Sequence, residues 1–240
     1  MTKYDLSHWQ QTLAGKKPLP ILKHALEQFD AIAIAFSGAE DVVLIDMASK
    51  IKEEIQVFTL DTGRLHPETY EFIEKVRNHY SIQLEILSPD TQAVQALVTK
   101  KGLFSFYQDG HQECCGIRKV EPLRRELQKL DAWITGQRRD QNIDTRDTLA
   151  EVELDNTFRG RSDSNPLIKF NPLANWTSAQ VWDYIEAYQV PFNELHRQGY
   201  RSIGCQPCTR PTLPHQPERE GRWWWEDAAK KECGIHRKPD

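Results

Sequence analysis

The first hundred residues alternate short apolar runs with longer amphipathic stretches, and that alternation restricts the chain to few folds. Ala31 to Phe36 is an apolar run, followed by the turn-forming Ser37-Gly38-Ala39-Glu40-Asp41 and a helix-like stretch from Val42 to Ile51. Gln56 to Leu60 is rich in β-formers and ends at the turn Asp61-Thr62-Gly63; Pro67 then opens a helix with apolar residues at Ile73, Val76 and Tyr80. Ile82 to Leu87 reads as a third strand and Thr91 to Lys101 as a third helix. Such alternation builds right-handed βαβ units, so the predicted class is α/β, a doubly wound, mostly parallel sheet.

The second half is less regular. Gly116 to Leu130 reads as helix with basic residues on several faces, Ala132 to Thr135 as strand, and Gln137 to Thr148 as a polar loop. Leu149 to Leu154 alternates as an antiparallel strand does, and Leu167 to Leu173 reads the same way, weakened by Pro166 before it and Pro172 within it. Thr177 with Gln180 forms a capping box for a helix reaching Tyr188. Beyond Pro191 the chain turns to Pro, Gly, Arg and Trp, with no internal repeat and no clean linker.

Composition excludes several classes. A chain of 240 residues with 39% hydrophobic content can build a core, which argues against disorder. Its longest apolar run falls far short of the roughly 18 residues of a membrane span. Met1 to Gln10 is polar and carries no secretory signal, so the expected location is the cytoplasm. A formal net charge of −4 predicts no nucleic-acid partner. The average hides two basic segments. Gly116 to Arg146 holds eight basic and five acidic residues and His196 to Asp240 nine and six, each +3, leaving −10 elsewhere. These segments contain or adjoin every cysteine.

The five cysteines fall at Cys114, Cys115, Cys205, Cys208 and Cys233. In a reducing compartment an odd, clustered set reads as a metal site plus a reactive thiol rather than a disulfide framework. The alternative of buried small hydrophobes sits poorly with the polar, turn-rich flanks Gln-Glu-Cys-Cys-Gly and Gly-Cys-Gln-Pro-Cys-Thr. Cys205-x-x-Cys208 lets two thiolates converge on one centre, and Cys114 with Cys115 can supply two more. Adjacent side chains diverge along a backbone, which suits an iron–sulfur cluster with separate iron atoms; a structural zinc held by all four thiolates is the rival. That leaves Cys233. Lys230, Lys231 and His236 surround it, and nearby positive charge raises thiolate fraction.

Ser37-Gly38-Ala39 stands where an open α/β sheet binds anions, after a buried strand and before a helix, with Asp41 and the Asp61-Thr62-Gly63 turn at the ends of two strands. Carboxylates there commonly accept from ribose hydroxyls. Lys119, the loop pair Arg138-Arg139, Arg146, Arg219 and Arg222 flank the cysteines; they read either as a solvated face or, through the guanidinium fork, as an oxyanion site. Trp223-Trp224-Trp225 reads as packing of the tail onto the sheet, ahead of a stacking surface for a base or a partner contact, and His66 before Pro67 as a helix-start residue rather than a catalyst.

The stretches Cys114-Cys-Gly-Ile-Arg-Lys-Val-Glu-Pro-Leu, Trp133-Ile-Thr-Gly-Gln-Arg-Arg-Asp-Gln, Ile203-Gly-Cys-Gln-Pro-Cys-Thr-Arg-Pro, Arg219-Glu-Gly-Arg-Trp-Trp-Trp-Glu and Glu232-Cys-Gly-Ile-His resemble the cluster-containing assimilatory sulfonucleotide reductases that act on adenylyl sulfate (APS). The match runs from about Ala31 to His236. The resemblance implies a Rossmann-like, adenine nucleotide alpha hydrolase-like domain over residues 1–210 and a mobile C-terminal tail, 211–240, carrying the catalytic Cys233. It implies one [4Fe-4S] cluster per chain on Cys114, Cys115, Cys205 and Cys208. Leu60 and Gly136 would meet adenine through their backbones, Ser37, Gly38 and Asp41 would line the nucleotide pocket, and Lys119, Arg146, Arg219, Arg222 and His236 would hold the phosphosulfate. The implied reaction is thioredoxin-dependent reduction of APS to sulfite and AMP through a Cys233 S-sulfocysteine, within sulfate assimilation toward cysteine. Thioredoxin is an external partner, no membrane is involved, and a homo-oligomer stays open. The loop resembles that of ATP pyrophosphatases but carries Ala39 and Val42 where their Ser-Gly-Gly-x-Asp-Ser has Gly and Ser, which argues against pyrophosphate cleavage. Rival readings are a reductase for the 3′-phosphorylated substrate PAPS or for both, a zinc-bearing RNA thiolation enzyme, and a DNA-binding iron–sulfur regulator.

Overall fold

The computed structural model describes residues 4–142, 146–162 and 166–226. Six strands form one sheet in the order β3-β2-β1-β4-β6-β5, with β1 at Ile32–Phe36, β2 at Gln56–Leu60, β3 at Leu84–Leu87, β4 at Ala132–Ile134, β5 at Val152–Leu154 and β6 at Ile168–Phe170. All neighbours are parallel except β5 with β6. The chain steps outward from β1 through β2 to β3 and then returns to place β4 on the other side of β1. The loops leaving β1 and β4 therefore diverge, and an open α/β sheet forms its ligand crevice at such a switch point.

The helices are α1 (Leu6–Leu13), α2 (Pro18–Gln28), α3 (Ala39–Ser49), α4 (Pro67–Tyr80), α5 (Thr91–Lys101), the short α6 (Phe106–Asp109) and α7 (Gln112–Cys115), α8 (Glu121–Leu127) and α9 (Ser178–Tyr188). A five-residue π-helical turn, Gly116–Val120, joins α7 to α8. The sheet sorts its side chains by the two-residue period of a strand. Ile32, Ile34 and Phe36 enter a core shared with α1 to α4 and α9, whereas Ala33 faces a second core of Phe58, Leu123, Leu127 and Trp133. The small Ala33 and Ala35 leave room on that second face, and Ala35 borders the cavity described below.

Helix α3 is the buried axle of the molecule. Val42 to Ala48 is buried without a break, because β1 lies on one side and α2, α4 and α9 on the others. That continuous burial hides helical periodicity, and the helix begins at Ala39, three residues earlier than Val42 suggests. Residues 39–41 form its first turn, with Gly38 as N-cap and Asp41 at the third position accepting from the Gly38 N–H.

Several sequence expectations meet the structure closely. Strand β2 and helix α5 match to the residue, and α9 carries its capping box, the Gln180 N–H donating to Thr177 Oγ1 at 3.3 Å. Others do not. Helices α1 and α2 precede the first expected strand, and within α2 Ile21, Leu22, Ala25 and Leu26 follow a helical spacing. Strand β6 is antiparallel to β5 as expected but also parallel to β4, so it is interior; Pro172 falls after its last paired residue and costs no ladder bond. Trp223 and Trp225 pack against cysteines, not against the sheet. Among the described residues no helix is long and apolar enough to cross a membrane.

Leu44, 0% exposed at the centre of α3, tests this account of the core. Leu44→Ala should lower the unfolding free energy by about 2–5 kcal/mol in a denaturant titration, and a loss below about 1 kcal/mol would contradict the close packing assigned to the axle.

Candidate active site

The crevice between the β1 and β4 loops holds a cavity of about 220 Å³. Ser37, Gly38, Asp41, Leu60, Lys119, Gly136, Arg146, Arg219 and Arg222 all line it. The structure therefore brings together every substrate-binding candidate within the described residues. Cys233 and His236 lie outside those residues.

Asp41 organises the crevice in a way the sequence did not disclose. One carboxylate oxygen accepts from Ser37 N (2.8 Å), Ser37 Oγ (3.0 Å) and Gly38 N (2.9 Å); the other accepts from Gly136 N (2.8 Å). The carboxylate is thus spent on tying the β1 loop to the β4 loop rather than offered to a ribose. The Ser37 and Gly38 amides, expected to face an anion, face Asp41 instead. Gly136 must be glycine: a Cβ there would stand 2.6 Å from Asp41 Oδ1 and 2.6 Å from the Glu40 Cβ. Burial raises the Asp41 carboxyl to about 6, the neighbouring Glu40 charge adds to the rise, and the three amides oppose it.

Behind the wall formed by Glu40 and Glu218 lies Arg138. It is 1% exposed and so not part of a solvated face. Its guanidinium donates to Glu40 at 2.9 Å, Asp140 at 3.1 Å and Glu218 at 2.9 Å. The start of α3, the β4 loop and the 211–226 segment meet on this one side chain. Glu40 and Glu218 line the cavity yet are engaged by Arg138, so the acidic wall is held together from within. The Glu40 carboxyl is held below its usual range: burial opposes this, but Arg138 outweighs it. Nothing in the sequence separates Arg138 from the half-buried Arg139 beside it. His196 also lines the cavity; its Nδ1 lies 2.7 Å from the Tyr200 carbonyl, and burial lowers its pKa, favouring the neutral ring.

Beside the cavity lies a second, much tighter pocket of about 10 Å³, walled by Cys114, Cys115, Cys205 and Cys208 with Arg64, Phe106, His111, Arg118 and Lys119. Two elements build it. Helix α7 ends on the cysteine pair, and the wide π-helical turn after it brings Arg118 to donate to the Thr62 carbonyl at 2.7 Å. A short 3₁₀ turn, Gln206–Cys208, presents the other pair, with Thr62 Oγ1 at 3.2 Å from Cys205 Sγ. Burial would raise the Cys205 thiol, but Lys119 and Thr62 bring it below its ordinary value; burial and the Cys205 charge push Cys208 up to about 12.

The donor set fits an anionic four-thiolate group. Buried Arg64 Nη1 and Arg118 Nε have no hydrogen-bond partner, and both arginines line this pocket. Buried N–H groups are rarely left so, and an anion between the thiols would satisfy them. Among the described residues no group of three or more His, Cys, Asp or Glu closes to the spacing of a single metal ion. Lys119 lines both pockets and is the side chain that joins them.

Residues 31–211 match the phosphoadenosine phosphosulfate reductase domain. The chain belongs to that family. It is accordingly an oxidoreductase. It is 58% identical over 234 residues to the adenosine 5′-phosphosulfate reductase of Pseudomonas aeruginosa (strain LESB58), covering 97% of this chain and 87% of that protein. It is 57% identical to the probable chloroplastic 5′-adenylylsulfate reductase 1 of Oryza sativa subsp. japonica, covering 97% of this chain but 50% of that longer protein. The crystal structure of a phosphoadenylyl-sulfate (PAPS) reductase from Candida auris superposes with a TM-score of 0.72 at 29% identity, covering 88% of this chain and 98% of that one. A yeast FAD synthetase, 13% identical with a TM-score of 0.54, shares the fold alone.

The Asp41 clasp of this reductase has a pH signature. Its folded pKa, about 6, lies above the 3.8 of a free carboxyl, so the group adds stability below about pH 4 that is lost as pH rises through 6. Wild type should therefore lose roughly 2 kcal/mol relative to Asp41→Asn between pH 4 and pH 7 in paired denaturant titrations. Parallel pH curves for the two proteins would contradict the burial assigned to this carboxylate.

Proposed function

We propose that this chain reduces adenosine 5′-phosphosulfate to sulfite and AMP, with Cys233 as nucleophile and a protein dithiol of the thioredoxin class as reductant. The observation that carries the proposal is the adjacency of the two pockets: a cavity lined by Lys119, Arg146, Arg219 and Arg222, sharing Lys119 with a four-thiol pocket. The names borne by the 58% and 57% identical relatives support the same substrate.

The nucleotide would enter the switch-point crevice, its adenine against the backbones at Leu60 and Gly136 and its phosphosulfate toward the cations. Arg219 and Arg222, with His236, would neutralise the charge that grows on the departing phosphate, a contribution worth several kcal/mol when such donors are fixed in a buried site, while Lys119, on the side of the thiol pocket, would meet the sulfonate. The Cys233 thiolate attacks the sulfur of APS, the S–O bond to AMP breaks, and the sulfonate remains on Cys233 as an S-sulfocysteine. A thiolate of the reductant then attacks the Cys233 sulfur, sulfite leaves with the bonding electron pair, and a mixed disulfide forms. The second thiol of the reductant resolves it, which returns Cys233 as a thiol and leaves the reductant oxidised.

Cys114, Cys115, Cys205 and Cys208 would hold a [4Fe-4S] cluster, which supplies an electrostatic field beside Lys119. The paired cysteines favour it over zinc, since side chains of successive residues reach separate iron atoms more readily than one ion. Free thiols of this number belong in a reducing cytosol.

The deciding experiment is anaerobic incubation with sulfur-labelled APS in the absence of thioredoxin. The proposal expects label on Cys233, none on Cys233→Ser, and far less label from the 3′-phosphorylated analogue. Covalent label on Cys233→Ser would overturn the nucleophile, and equal labelling by both nucleotides would make the enzyme a dual reductase.

A further inference from the structure

Large exposed apolar side chains concentrate beside the thiol pocket. Leu103 and Phe104, in the turn after α5, are 55% and 59% exposed, Tyr107 in α6 is 40% exposed and Trp224 is 42% exposed. They form one surface: the Phe104 and Tyr107 rings stack at 6.3 Å, and Tyr107 lies 6.3 Å from Trp224. Underneath, Phe106 and Trp225 connect the patch to the cysteines, with Trp225 at 4.5 Å from Tyr107. The Arg64 guanidinium sits 5.6 Å over Phe104 and that of Arg210 5.1 Å over Trp224, so positive charge marks two sides of the patch. None of the four exposed residues lines the nucleotide cavity. Contiguous aromatic surface framed by arginine is the composition of interaction hot spots, not of ordinary solvent-facing surface.

We propose that this patch is the docking surface for the protein dithiol that discharges Cys233; the inference rests on the function proposed above. Its position supports that occupant. The chain leaving the patch is pinned at Glu226, whose carboxylate accepts from His111 N at 2.8 Å and meets His111 Nδ1 at 2.7 Å, while His111 stacks on Trp223 at 4.3 Å. Cys233 follows Glu226 by seven residues, a contour of at most about 25 Å. A reductant seated on the patch is thus within reach of the sulfur it must attack, and it leaves the mouth of the nucleotide cavity clear. The charge also suits it, because the attacking group is a thiolate and the exposed Arg210 stands beside the patch.

The test uses the full chain and a Phe104→Ser/Trp224→Ser double variant. Both are loaded with labelled APS, and sulfite release is timed against increasing reduced thioredoxin or against dithiothreitol. The expected result is unchanged labelling of Cys233, unchanged release by dithiothreitol, and kcat/KM for thioredoxin lower by about tenfold or more. An unchanged thioredoxin dependence would overturn the proposal. Equal slowing with thioredoxin and dithiothreitol would also overturn it, by showing that the patch serves the chain's own C-terminal residues, as would a wild-type dimer that the substitutions dissociate. Calorimetric binding of reduced thioredoxin to both proteins reads the patch independently of turnover: weaker binding by the variant supports the surface even where wild type takes no label, a result that would count against the function alone.

Discussion

The structure of the site depends on one carboxylate. Asp41 sits at the start of α3 and gathers donors from the end of β1 and from the loop after β4, which the sheet topology drives apart. A buried carboxylate needs such donors, and two diverging loops need a common acceptor; each requirement meets the other. Ser37, Gly38 and Gly136 are therefore fixed relative to one another before any ligand arrives. The glycine at 136 follows from the same constraint, since a side chain would collide with the clasp.

Charge is sorted around that clasp. Arg138 holds Glu40 and Glu218 on one wall, Arg219 and Arg222 line the same cavity, and Lys119 alone of these cations also lines the thiol pocket. A buried arginine that binds carboxylates from three segments is expensive to desolvate, and its worth here lies in geometry: through Glu218 it fixes the residue next to Arg219. The segment after residue 210 is thereby stitched to the body at Glu218, at the Thr209–Arg222 bridge and at Glu226, so the approach to Cys233 starts from a defined place.

Much of this was legible in the sequence where residue type and period act locally. Alternating apolar runs announced the parallel sheet, the Thr177–Gln180 pair announced α9, and the cysteine spacing announced the thiol pocket. What escaped depended on contacts between distant segments. The ordinary amphipathic code fails for α3 because the helix is buried all round. Arg138 and Arg139 are neighbours of the same type, and only the fold makes one a fully buried tie between carboxylates and leaves the other half-buried. The π-helical turn that presents Arg118 and Lys119 carries no residue signal, and Asp41 looked like a ribose ligand because its amide partners are set by loop geometry.

Lys119 lines both pockets, and the proposed reaction has it meet the sulfonate end of the substrate. Calorimetric affinities of APS and AMP, measured anaerobically on Cys233→Ser and on Cys233→Ser/Lys119→Gln, test it most directly. The account predicts that the lysine substitution weakens APS binding by about 1.5–3 kcal/mol, the worth of a hydrogen bond to a charged group, while AMP binding stays nearly constant. Equal weakening of both ligands, or of neither, would contradict it.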